Sequence, residues 1–269
     1  MADDELEPPV ERGRPRRAVE EEPHRSLGRS ILRWLAEFFI YMVVAIVVVA
    51  LVRVFLVQPF RVPSGSMEQT LQIGDTILAW ERGAPERGEI VVFRDDLGWL
   101  GPLPSEAPQW KKVLAWLKVL PPQDEQYLVK RLIGLPGDHV VCCDVQGRIT
   151  VNGHPLDETE YLYQNSSGKT VDPSDQVFDI VVPEGHIFVM GDHRNGSEDS
   201  RAHMCASTKV ATPTPELTFP SIDSIQGKVV AVLKPMSRIQ TFSIPDTFAG
   251  VPDPTGSPPS PGQVKWTCP

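Results

Sequence analysis

The sequence has no excess of positive charge: 26 Lys and Arg stand against 35 Asp and Glu in 269 residues, a formal charge of −9. That balance excludes a general nucleic-acid binder, which needs a basic face. Cysteine is scarce, at four residues. Four are too few for a disulfide scaffold, and they show no metal-ligand spacing. Alternating strand and helix patterns are missing, which argues against a parallel doubly wound sheet, and there is no internal repeat. Proline is plentiful instead, with 27 residues, roughly twice the average share, so some segments are expected to be unstructured. An apolar share of 41% and a charged share of 23% fit a globular chain of one or two domains. The apolar residues are not spread evenly.

Residues 1–30 are polar without a hydrophobic period and read as a disordered tail. Residues 31–57 follow as ILRWLAEFFIYMVVAIVVVALVRVFLV, with Phe38 to Val52 uninterrupted. About 20 such residues span a bilayer. Glu37 and Arg53 fall near the two interfaces, and Trp34 and Tyr41 suit the nearer one. A cleaved signal peptide has a shorter apolar region and a small-residue cleavage site. Here Gln58-Pro59-Phe60 follows, so a retained anchor is expected, with the lipid bilayer as a partner. Arg25, Arg29 and Arg33 precede the run and Arg61 follows it. The positive-inside rule then places the N-terminus in the cytoplasm and the body outside a cytoplasmic membrane crossed once.

From Gln58 to Ile244 the chain reads mainly as short strands. GEIVVFR (88–94), HVVCCDV (139–145), RITVNG (148–153), HIFVMGD (186–192) and GKVVAVL (227–233) are rich in β-branched residues and bounded by turn formers. Gln146-Gly147 suits a tight turn. Residues 95–126 form a proline-bearing insertion in which WKKVLAWLKVL (110–120) has Trp110, Val113, Leu114, Trp116, Leu117 and Leu120 on one helical face. That helix suits a membrane interface or a cap on the sheet. Residues 245–269, rich in Pro, Gly and Ser, read as a second disordered tail. Cys142 and Cys143 would point to opposite faces if both lay on one strand. Their pairing, and that of Cys205 and Cys268, is open at this level.

Three segments carry residue types that acyl transfer needs: VPSGSMEQTL (62–71), YLVKRLIGLPGD (127–138) and GDHRNGSEDSR (191–201). With GDTIL (74–78) and a last apolar strand, all in order behind one span, they resemble bacterial type I signal peptidase. That family comprises membrane-anchored serine proteases with a Ser/Lys dyad. The resemblance covers the anchor and most of 58–238. It implies a mainly β catalytic domain of mixed antiparallel sheet over 58–244, with signal peptides of preproteins as substrates. It implies Ser66 as nucleophile and Lys130 as general base, with the Ser64 hydroxyl and the Ser66 N–H as oxyanion donors. Ser197 would contact the lysine, and Asp199 and Arg201 would support the site as an ion pair. Phe60, Val62, Met67, Leu71, Leu128 and Val129 would line the substrate pockets. No metal or cofactor is implied.

A serine hydroxyl needs an adjacent base, and a lysine serves near neutrality only if burial disfavours its charge. The apolar neighbours Val129, Leu132 and Ile133 are compatible with such burial. Ser66 lies nine residues after Val57; at ~3.3–3.6 Å per residue the chain keeps it near the outer membrane surface. The chain departs from the family at Gln69, usually Pro, at His193, often Asn, and in the 95–126 insertion. Two other readings compete. Ser166-Ser167-Gly168-Lys169 fits the Ser-x-x-Lys string of penicillin-binding acyltransferases, without their companion motifs. The chain could also be a catalytically silent, membrane-tethered binding module.

Overall fold

The computed structural model describes residues 27–55, 57–102, 108–109, 125–206, 212–264 and 266. The expected amphipathic helix at 110–120 and nearly all of the N-terminal tail lie outside these residues. The chain divides into two units, residues 1–48 and 49–269.

Helix α1 (Leu27–Phe55) has 29 residues, about 44 Å at 1.5 Å per residue. Within it, Ser30–Val48 is long and apolar enough to cross a membrane by length and composition. Its large side chains, among them Trp34, Phe38, Phe39, Ile40 and Ile46, are exposed. An uncovered helix that is apolar all round is the pattern of a membrane span rather than of a core helix.

The second unit is mainly β. A seven-stranded sheet has the order β1 (Val57–Arg61), β2 (Thr76–Trp80), β12 (Ile225–Lys234), β3 (Ile90–Arg94), β4 (Tyr127–Gly134), β9 (Phe188–Met190), with β13 (Gln240–Thr241) also on β12. A four-stranded sheet has the order β7 (His154–Pro155), β6 (Ile149–Val151), β5 (His139–Cys142), β8 (Phe178–Val181). A small ladder joins β10 (Cys205–Ala206) to β11 (Thr212–Pro213). Every pairing is antiparallel.

Strand β3 shows why the core forms where it does. Side chains alternate between faces, and both faces of β3 are apolar. Ile90 and Val92 join one cluster, with Phe60, Met67, Leu71 and Ile77. Val91 and Phe93 join another, with Leu128, Leu132, Ile187 and Val189. A strand covered on both sides reads as a continuous apolar run, which IVVFR is. A third cluster covers the four-stranded sheet, with Val140, Ile149, Val151, Phe178 and Ile180.

Two expectations differ from the structure. Much of the segment after residue 244 is packed: Phe248 and Val264 are buried in the third cluster. The Trp266 indole donates to the Met204 carbonyl at 3.0 Å, and the Glu184 N–H to Pro259 O at 2.9 Å. Three apolar anchors among many prolines suffice to fold the segment down. Second, β5 ends at Cys142, so Cys143 does not continue the strand's alternation. The two thiols are joined to each other, and Cys205 is also in a disulfide. At the described start of the insertion, the Asp95 carboxylate accepts from the Trp99 and Leu100 N–H groups. Trp99 stacks on His203 with centroids 4.5 Å apart.

Candidate active site

Ser66 lies in the connection between β1 and β2. That loop is closed at its base by Val62 N to Asp75 O and Gly74 N to Val62 O, both 2.9 Å. Its first turn is tightened by Glu68 N to Gly65 O at 3.0 Å and Leu71 N to Met67 O at 2.7 Å. Met67 and Leu71 anchor the turn in the core at 1% and 0% exposure. Ser66 itself is buried, and Ser64 is exposed.

Lys130 comes from the middle of β4, where it pairs with Val91. Directly opposed residues share a face, so Lys130 lies on the face of Val91, Leu128 and Leu132. It is 2% exposed. Burial lowers its pKa from 10.5 to about 8; the Asp199 charge opposes that fall and Arg201 reinforces it. On the other side, β4 pairs with β9 through Arg131–Met190. The chain leaves that ladder after Met190, and Gly191 is the next residue.

At Gly191 the serine loop meets the 191–201 segment. A Cβ there would come within 2.3 Å of Ser197 Oγ and 2.4 Å of Ser66 O; only glycine leaves that space. The Gly191 N–H donates to Asp199 Oδ2 at 2.9 Å. Arg201 holds the Asp199 carboxylate with two bonds, at 3.0 and 2.8 Å. Burial disfavours the Asp199 charge, but the Arg201 guanidinium, Lys130 and the Gly191 N–H together outweigh it and hold the carboxyl below its ordinary value. Ser197 Oγ is buried without a hydrogen-bond partner among the described residues.

Of the pocket positions, Phe60, Val62, Met67 and Leu71 are buried together, with Val129 packed against them. Leu128 belongs to the cluster on the other face. Gln69 has φ 86°, which a proline ring cannot adopt.

A polar frame that no sequence motif marks surrounds these groups. Arg131, next to Lys130, makes a bidentate pair with Asp192 at 2.8 and 2.7 Å and donates to Gly88 O. Asp192 also accepts from Thr70 Oγ1 at 2.5 Å, which ties the serine loop to the 191–201 segment. Arg194 is paired with Glu158, and the Arg131 guanidinium lies 4.0 Å over the Tyr161 ring. Partners 30 to 122 positions apart leave no local pattern to find them by. The Lys-Arg and Gly-Asp strings were the available signal.

A mainly β body bearing a serine turn and a buried lysine has the furniture of a hydrolase. The model of the family described as signal peptidase, peptidase S26, matches residues 35–233. The signal peptidase I of Mycobacterium tuberculosis is 35% identical over 243 residues, covering 82% of this chain and 79% of that protein. The probable signal peptidase I of Mycobacterium leprae is 32% identical, over 76% of this chain and 78% of that one. The signal peptidase I of Pseudomonas aeruginosa is 30% identical over 57% and 58%. The chain belongs to the signal peptidase family, peptidase S26, and is a serine endopeptidase of the signal peptidase I type.

Proposed function

We propose that this chain removes signal peptides from exported preproteins at the outer face of the cytoplasmic membrane, with Ser66 as nucleophile and Lys130 as general base. The observation that carries the reading is Lys130. A lysine at 2% exposure with a pKa of about 8 is neutral often enough to act as a base. The charges of Asp199 and Arg201 act on it, and Gly191 of the same segment packs against Ser66 O and Ser197 Oγ, which supports their convergence.

Neutral Lys130 takes the proton from Ser66 Oγ as that oxygen attacks the scissile carbonyl carbon. The oxyanion is held by the Ser66 N–H and the Ser64 hydroxyl, neither of which is engaged among the described residues. One such donor is worth ~3–4 kcal/mol. The Lys130 ammonium then protonates the leaving amine as the C–N bond breaks. In the second half, Lys130 takes a proton from water, which attacks the ester and frees Ser66. The unpartnered Ser197 hydroxyl orients the amine, and the Asp199–Arg201 pair fixes the segment that bears it.

Helix α1 serves as the anchor (31–57), with the N-terminus inside and the catalytic domain (58–244) outside. The eight residues between Val57 and Ser66 keep the nucleophile near the membrane. Small residues before the scissile bond suit shallow apolar pockets beside the cluster of Phe60, Val62, Met67, Leu71 and Val129, with Leu128 on the opposite face of β4. The test is cleavage of a preprotein bearing an Ala-x-Ala site by the full-length chain in detergent, with N-terminal sequencing of the product. Cleavage directly after the second Ala is expected, and none once a bulky residue replaces it. Equal cleavage of both would overturn the substrate assignment.

A further inference from the structure

The chemistry above makes no use of Glu68 or His193, yet the two meet behind the nucleophile turn. His193 Nδ1 lies 3.2 Å from Gly65 O and 3.3 Å from Glu68 Oε2. Both are acceptors only, so Nδ1 carries the hydrogen and donates. The His193 backbone N–H donates to Ser66 O at 3.1 Å. One residue therefore holds the carbonyls on both sides of Ser66 and the carboxylate that folds back over them. Glu68 is folded so closely that a Cβ on Gly65 would meet its Oε1 at 2.8 Å.

The imidazole is itself held in place. Tyr163 stacks on it, with centroids 3.9 Å apart and planes 26° from parallel. Gly196 lies so near that a Cβ there would come within 2.9 Å of the ring. The ring is 21% exposed and the Glu68 side chain 34%, so neither is packing the core. A fixed ring with its donor aimed at the turn is built to orient rather than to fill.

We infer that His193, with Glu68, is a positioning residue that sets the orientation of the Ser66 turn against the 191–201 segment. This rests on the reading of Ser66 as nucleophile. Without the imidazole, Gly65 O keeps only its bond from Glu68 N, and Glu68 loses its partner. The turn is then free to shift its hydroxyl relative to the lysine. The pocket residues Phe60, Val62 and Leu71 are held by their own apolar cluster, so binding is spared while turnover falls. A misplacement near 1 Å costs on the order of 100-fold.

The experiment measures kcat and KM of the full-length chain in detergent on an Ala-x-Ala peptide. The variants are His193→Ala, His193→Asn, Glu68→Ala and Ser66→Ala, with a melting curve for each. His193→Ala is expected to lower kcat roughly 10- to 100-fold with KM and melting temperature near wild type. His193→Asn restores most of kcat, because its amide donates to the same carbonyl. Glu68→Ala, at a more exposed side chain, lowers kcat in the same direction and to a smaller extent. Wild-type kcat in His193→Ala, or a loss that Asn does not restore, would overturn the inference. Ser66→Ala separates the two readings: if it cleaves at full rate, the site assignment fails, whereas a dead Ser66→Ala beside a fully active His193→Ala sinks only the role given to His193.

Discussion

The pH dependence of cleavage follows from where β4 places Lys130. A fall in pKa from 10.5 to about 8 is worth about 3 kcal/mol against the charged form, at 1.36 kcal/mol per unit. At pH 8 about half of the molecules then hold a neutral lysine, against about 0.3% for an ordinary one. At pH 7 the neutral fraction is about a tenth. The neutral form is the active one, so kcat/KM on a peptide substrate rises with pH, bends near 8 and levels off above it. Asp199 opposes the fall in pKa while burial and Arg201 drive it. Asp199→Asn therefore moves the acidic limb to lower pH, at reduced plateau activity because Arg201 loses its partner. A rate profile from pH 5.5 to 10.5 for both proteins tests the reasoning. A limb near 10.5 would refute the burial argument, and a limb that moves upward in the variant would refute the sign given to Asp199.

Three further outcomes follow. Because the folded state disfavours charged Lys130, the chain loses stability as pH falls from about 10.5 to about 8, and below that the full cost persists unchanged. Lys130→Met removes that cost and is expected to raise the melting temperature at pH 7, while abolishing cleavage; a lower melting temperature would contradict it. Gly191→Ala drives a methyl into Ser66 O and Ser197 Oγ. Overpacking of this kind costs ~1–3 kcal/mol, and the displaced serine turn should lose most of its kcat, read by peptide cleavage beside a thermal melt. Phe248→Ala deletes a buried ring that lies against Gly88 and stacks on Tyr161. It should cost about 3 kcal/mol in a denaturant titration, where an unstructured tail would show no change.

The strands were legible where composition and bounds agree: IVVFR became β3, and the apolar run ending in Leu233 became β12. The Gln146-Gly147 turn lies between β5 and β6, with Gly147 at φ 78°. The Ser-Gly-Ser-Met, Lys-Arg and Gly-Asp strings were legible as strings. What Lys130 experiences was not, because its burial depends on Val91 across one strand and the 191–201 segment across another. The frame of Arg131, Asp192 and Thr70 was hidden for the same reason. The Pro-rich C-terminal segment misled differently. Composition averages over residues, whereas docking needs only Phe248, Val264 and Trp266 to find the core.

The central claim is that Ser66 and Lys130 act as one nucleophile–base unit. Side-by-side single-turnover cleavage of a preprotein by wild type, Ser66→Ala and Lys130→Ala tests it most directly, because product release then plays no part. Loss of cleavage by a factor of about 1,000 or more in both variants, with melting temperatures at or above wild type, is the expected result. Retention of the wild-type rate by either variant would contradict the account.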